Sequence, residues 1–243
     1  VALMGDSNVF GWGLNNSQTL AAQTEVALRE LGHTVEIINA GQPGYSTAQA
    51  AWLFEQVLGA YSPDLTVVFL SMHDHNRVLV SDTEVWQGPS GPSARLRVLL
   101  AEHSRIYTRI RAAIHSQSTK AQLMPHDPGQ EDRVPRVSDA EREALVSDMS
   151  TQASRWGGQV TLGLMPDISD LRSGTAQGLA PRLGETWARA FTEQAGTPFV
   201  SLRACCPDGG EALVFPFDHG HMNAAGNAAA AHALAAAVDA YLR

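Results

Sequence analysis

A serine, a histidine and an aspartate suffice for acyl transfer when a fold brings them together, and this sequence offers such a set near its two ends. Ser7 lies in Gly5-Asp6-Ser7-Asn8, and Asp218 and His221 lie in Asp218-His219-Gly220-His221-Met222-Asn223. A hydroxyl becomes a useful nucleophile only with a base in hydrogen-bond reach, and that base needs an acceptor to set its tautomer. Asp218 and His221 are three residues apart, so one turn of loop can put both side chains on the same side. The carboxylate then accepts from Nδ1 while Nε2 faces Ser7. The oxyanion formed on attack needs preorganised donors, and N–H groups beside glycine suit because no Cβ blocks approach. The N–H groups of Ser7 and Gly44 are the candidates. Each segment also has an ordinary reading: a serine after Gly-Asp caps a helix, Gly41-Gln42-Pro43-Gly44 is a turn, and loop Asp and His are solvated.

The elements that must hold these residues are legible from apolar runs and punctuation. Residues 1–4 read as a buried first strand ended by Gly5. Ser17 or Thr19 can cap a helix whose apolar positions Leu20, Ala27, Leu28 and Leu31 keep a 3.6 period, with Gly32 closing it. Residues 35–38 read as the second strand and 65–70 as the third. Between them Ser46 and Gln49 form a capping box for a helix reaching about residue 60. Residues 94–114 read as a helix, and 117–137, with three prolines and no periodicity, as an irregular excursion. Ser138 with Glu141 opens another helix that Gly157-Gly158 stops. Strands at 160–165 and 199–202, a helix at 181–195 and a final alanine-rich helix at 224–242 complete the pattern.

This alternation predicts one α/β domain over residues 1–243, a three-layer flavodoxin-like arrangement with a mainly parallel sheet of about five strands and helices on both faces. In such sheets sites form at the carboxyl ends of the strands. Four polar, turn-forming segments follow those ends: 5–8, 39–44, 71–76 and 217–223.

Composition narrows the function. Hydrophobic residues make up 44% and charged residues 17%, ample for a packed core. The 17 basic residues are outnumbered by 25 acidic ones and form no stripe, so nothing favours a nucleic-acid partner. No apolar run approaches the ~20 residues needed to span a bilayer. The chain opens on Val1-Ala2-Leu3-Met4 rather than on an initiator Met, which leads us to expect a removed upstream segment. A signal or anchor there would make the domain secreted or envelope-bound. Cys205 and Cys206 are adjacent, which disfavours a disulfide between them, and they read as half-buried thiols at a strand end.

Gly5-Asp6-Ser7, then Asn39-Ala40-Gly41-Gln42-Pro43-Gly44, then Asp218-His219-Gly220-His221-Met222-Asn223-Ala224-Ala225-Gly226 resemble, in order, the blocks of the SGNH (GDSL-type) hydrolases. Phe10-Gly11-Trp12-Gly13, Pro63-Asp64 and His103-Ser104-Arg105 extend the likeness along the whole chain. The resemblance implies esterase, lipase or carbohydrate-deacetylase chemistry on a small-molecule or carbohydrate ester, with no cofactor and no metal. It implies Ser7 as nucleophile, His221 as base, Asp218 as its orienter and Gly44 as an oxyanion donor, and no catalytic role for Asp6.

The third block departs from that pattern. Where the family reads G-x-N-D, with an Asn that donates to the oxyanion, this chain has Ser71-Met72-His73-Asp74. A neutral imidazole still offers one N–H and a protonated one a stronger donor, so His73 is expected to serve as the third donor. Asn8, Trp12, Asp74 and His75 are expected as substrate contacts, and Trp86 could line the cleft. Three alternatives remain at this level: an acyltransferase using the same triad, a metal-dependent hydrolase built on the pairs His73/His75 and His219/His221, and an inactive domain that only binds.

Overall fold

The computed structural model describes residues 1–78, 81–86, 134–166, 185–203, 205, 211–216, 218 and 220–243. Among them, in chain order, are strands β1 (Ala2–Gly5), β2 (Ile38–Gly41), β3 (Leu65–Phe69), β4 (Arg77–Val78), β5 (Val134–Pro135), β6 (Gln159–Leu164) and β7 (Val200–Ser201). The helices are α1 (Ser7–Phe10), α2 (Leu20–Glu30), α3 (Thr47–Gln56), α4 (Asp82–Trp86), α5 (Asp139–Ser154), α6 (Glu185–Ala195) and α7 (Ala224–Leu242). Contacts gather the chain into two units, Val1–His73 with Asp139–Arg243, and Asp74–Ser138.

The first unit holds a five-stranded sheet in the order β2-β1-β3-β6-β7, every pair parallel. Side chains alternate across a strand, and that alternation makes two apolar layers. Leu3, Val67 and Phe69 join Leu20 and Leu28 of α2 and Ala230, Leu234 and Val238 of α7. Ala2, Met4, Val68 and Leu162 join Phe54 of α3, Val146 and Met149 of α5, and Ala188 of α6. Helices therefore cover both faces, as a sheet of buried strands requires. The second unit, among its described residues, pairs β4 with β5 antiparallel. Arg136 sets Nε and a terminal nitrogen on Asp82 Oδ2 at 2.9 and 2.6 Å.

Caps read from the sequence sit where helices start. The Thr19 hydroxyl accepts from the Ala22 N–H, and Ser46 and Gln49 form a complete capping box. α3 ends at Gln56 and continues as a 3-10 turn over Leu58–Tyr61. β2 lies three residues later than the apolar run at 35–38 suggested. Val35 and Ile37 are half-buried against the core, but the Ile37 N–H is taken by Glu25 at 2.8 Å. Pairing begins where Ile38 meets Ala2. On an edge strand, apolar content marks burial and not the ladder. The helix expected at 94–114, the excursion up to residue 133, residues 181–184 and the Trp86 side chain lie outside the described residues. The end of that excursion, Val134–Pro135, is β5.

The loop after β1 is a helical turn. The Asp6 side chain accepts from the Asn8 N–H as the cap of α1, and Gly11, at φ +86°, ends it. α1 rests directly on β2: the Asn39 amide donates to the Phe10 carbonyl at 3.2 Å, and a Cβ on Gly41 would fall onto the Phe10 nitrogen and the Val9 carbonyl carbon. Because those atoms are backbone, they cannot rotate away. Gly41→Ala is therefore expected to cost about 1–3 kcal/mol or more, read as a lowered denaturant midpoint.

Candidate active site

Ser7, Gly44, Ser71 and His73 all follow carboxyl ends of neighbouring strands, as the parallel topology demands. Ser7 is the first residue of α1, so no intrahelical carbonyl can take its N–H. Gly44 has φ +73°, and nothing stands within 4 Å of where its Cβ would be. The turn around it is tied to β1 through the Gln42 N–H, which donates to the Gly5 carbonyl at 2.9 Å.

His221 reaches Ser7 across a separation of 214 residues, with Nε2 2.7 Å from Oγ. Its Nδ1 lies 2.7 Å from Asp218 Oδ2. An ionised carboxylate only accepts, so Nδ1 carries the proton and donates to it, leaving Nε2 to accept from the Ser7 hydroxyl. The Gly220 N–H donates to the other Asp218 oxygen at 3.0 Å. Partial burial pushes the Asp218 carboxyl up, but the hydrogen bonds from His221 and Gly220 outweigh it and hold the carboxyl below its ordinary 3.8.

The loop carrying this pair is pinned at both ends. Val214 and Met222 form an antiparallel bridge, and the Phe215 N–H donates to the His221 carbonyl at 3.2 Å. The Asn223 side chain does two jobs. Its oxygen caps α7 by accepting from the N–H groups of Ala225 and Gly226, and its NH₂ donates to the carbonyls of Ala212 and Val214 at 2.6 and 3.1 Å. Gly226 completes the joint, since a Cβ there would strike the Leu213 carbonyl oxygen. Asn223 and Gly226 belong to the sequence block but had no assigned role; an Asn immediately before a helical run is the signal that marks such a cap.

The altered third block is also tied in. Ser71 donates from Oγ to the Tyr45 carbonyl at 2.8 Å and accepts from the His73 N–H at 3.1 Å. One hydroxyl thus joins the Gly44 turn to the His73 segment. The His73 ring is half-buried, with Nε2 4.0 Å from Asp6 Oδ2, beyond hydrogen-bond distance.

The expected substrate contacts divide. Trp12 is 51% exposed, its ring centroid 6.3 Å from that of His221. His75 is exposed, whereas Asn8 and Asp74 are buried and present little or no surface to a substrate. Cys205 is half-buried; His219 and Cys206 lie outside the described residues. Among the described residues no three His, Cys, Asp or Glu side chains converge as a metal set, and both His221 ring nitrogens are engaged by Asp218 and Ser7. Among the described residues no helix is long and apolar enough to cross a membrane.

A carboxyl held low in the folded state binds fewer protons there than in the unfolded chain. Its stabilising contribution is present above the ordinary carboxylate range and is lost as pH falls through the folded value. Asp218→Asn should therefore melt lower than wild type at neutral pH, with the gap narrowing below pH 3.8. Asn223→Ala should lose about 1–2 kcal/mol in thermal or denaturant unfolding, and in kinetics lower kcat more than it raises KM, because the loop rather than the binding surface loosens.

Comparison with known proteins agrees with this architecture. A sequence profile described as the GDSL-like Lipase/Acylhydrolase family matches residues 3–229. No curated protein is significantly similar in sequence. Among solved structures, a catalytic variant of an acetylxylan esterase from Geobacillus stearothermophilus superposes with a TM-score of 0.57 at 15% identity, covering 98% of this chain and 92% of that one. The psychrotrophic esterase EstA from Pseudoalteromonas sp. gives 0.55 at 10% identity, covering 99% and 97%. A member of the lipolytic G-D-S-L family from Veillonella parvula gives 0.55 at 14% identity, covering 100% and 97%. With the profile spanning nearly the whole chain, over a five-stranded parallel sheet, the protein belongs to the GDSL-like lipase/acylhydrolase family and is a carboxylic ester hydrolase.

Proposed function

We propose that the protein hydrolyses short-chain acyl esters or carbohydrate O-acetyl esters through an acyl-enzyme on Ser7. The observation that carries this reading is the continuous chain Asp218–His221–Ser7, with 2.7 Å at each link. Ser7 Oγ attacks the ester carbonyl as its proton passes to His221 Nε2. The new imidazolium is stabilised by Asp218, and the negative oxygen is received by the N–H groups of Ser7 and Gly44. Collapse breaks the ester C–O bond, and the departing alkoxide takes the proton from Nε2. Water repeats the sequence on the acyl-enzyme, releasing the acid and restoring Ser7. The sugar-ester substrate class draws support from the likeness to an acetylxylan esterase.

In this reading His73 is the third oxyanion donor in place of asparagine. Support comes from its position after β3 and from the Ser71 hydroxyl, which ties its backbone to the Gly44 turn.

Ser7→Ala should lower kcat on 4-nitrophenyl acetate by about 10⁶-fold and abolish labelling by a fluorophosphonate. Intact turnover in that variant would refute the nucleophile. His73→Ala should lower kcat by roughly 10²–10³-fold with KM little changed, and His73→Asn should recover most of it. Wild-type rates in both variants would remove His73 from the oxyanion hole.

A further inference from the structure

Resting on the Ser7–His221 reading, the position of Trp12 says which half of the ester it meets. In acylation the proton taken from Ser7 Oγ sits on His221 Nε2 and leaves on the alkoxide oxygen of the alcohol. That oxygen must therefore come within hydrogen-bond reach of Nε2, about 3 Å. The acyl carbon is bonded to Ser7 Oγ at that moment, and its oxygen faces the N–H groups of Ser7 and Gly44. The rest of the alcohol starts at the imidazole and must run along whatever surface stands beside it.

The Trp12 indole stands there, its centroid 6.3 Å from that of His221 and its plane tilted by 34°. About half of the residue's surface is open to solvent, although indole surface is normally removed from water.

The turn that carries the indole is also held from both sides of the reaction. The N–H groups of Gly11 and Trp12 both donate to the carbonyl of Ser7 at 3.1 Å, so the turn hangs on the nucleophile's own residue. Gly11 and Gly13 take φ of +86° and +80°, and the Leu14 N–H closes the turn on the Gly11 carbonyl. The ring of Phe215 lies against Gly13, 3.2 Å from where a Cβ would project. Phe215 in turn accepts from the Asp218 N–H and donates to the His221 carbonyl. The turn that carries Trp12 is thus tied to the nucleophile's residue and to the loop carrying the acid and base.

We infer that Trp12 forms the wall of the leaving-alcohol subsite and selects alcohols that present a flat or ring-shaped apolar face, such as a benzylic ring or the C–H face of a pyranose. Acyl-chain selection is separate from it, because the acyl group departs from the reacting carbon on the side away from the base.

Two ester series separate the halves: acetates of ethanol, benzyl alcohol and a methyl pyranoside, and ethyl esters of acetic, butyric and hexanoic acids. Wild type, Trp12→Ala and Trp12→Phe are compared by kcat/KM, with fluorophosphonate labelling of Ser7 and a melting curve as controls for each. Trp12→Ala should reduce the preference for the ring-bearing acetates over ethyl acetate by about 10- to 100-fold. Trp12→Phe should restore most of that preference, and the acyl-length profile should keep its shape. Deacylation of the acetyl-enzyme, common to the whole acetate series, should move less than about twofold. A Trp12→Ala protein that labels normally yet keeps the wild-type alcohol preference, or shifts its acyl preference instead, overturns the proposal and leaves the Ser7 reading standing. Wild-type protein that fails to label overturns both.

Discussion

The His221 imidazole has to meet two partners at once, and most of the surrounding architecture answers to that demand. Its two nitrogens sit 2.7 Å from Asp218 and 2.7 Å from Ser7, so an error of an ångström in either direction breaks one of the bonds. Asp218 is local, three residues away, and Ser7 is 214 residues away. The local half is set by a pinned loop: the Val214–Met222 bridge, the Asn223 amide on two carbonyls, and a glycine at 226 that lets α7 close on Leu213. The distant half is set by the sheet. β1 ends at Gly5, and α1 is held against β2 by Asn39 and the missing side chain of Gly41.

Two glycines set how closely the segments at this site can approach. At Gly41 and Gly226 the neighbour is backbone, not a rotatable side chain, so the approach is close because a Cβ is absent. Asn39 and Asn223 supply the complementary attraction at the same two joints. Each joint pairs a vacancy with a directional hydrogen bond. Together they set how closely the two chain segments approach, and a hydrogen-bonded constellation depends on such positioning.

The third block follows the same logic with different residues. The Ser71 hydroxyl bridges the Tyr45 carbonyl and the His73 N–H, which ties two strand-end loops together. The His73 ring lies 4.0 Å from the Asp6 carboxylate, itself the cap of α1.

What the residues determine on their own is whatever depends on neighbours three or four positions away. The capping box at Ser46 and Gln49, the Thr19 cap, the final helix over Ala224–Leu242 and the buried run of β3 all follow from local hydrogen bonding and apolar periodicity. The pairing of Asp218 with His221 follows from the same local spacing, whereas their meeting with Ser7 spans 214 residues. The tertiary structure decided what no local rule reaches. It set the register of β2, which follows β1 and not its own apolar residues. It withdrew Asn8 and Asp74 from the surface while leaving Trp12 exposed beside His221. It also gave Asn39, Gly41, Ser71, Asn223 and Gly226 their work. Those are contacts between segments far apart in the chain, and only packing brings them within a bond length of one another.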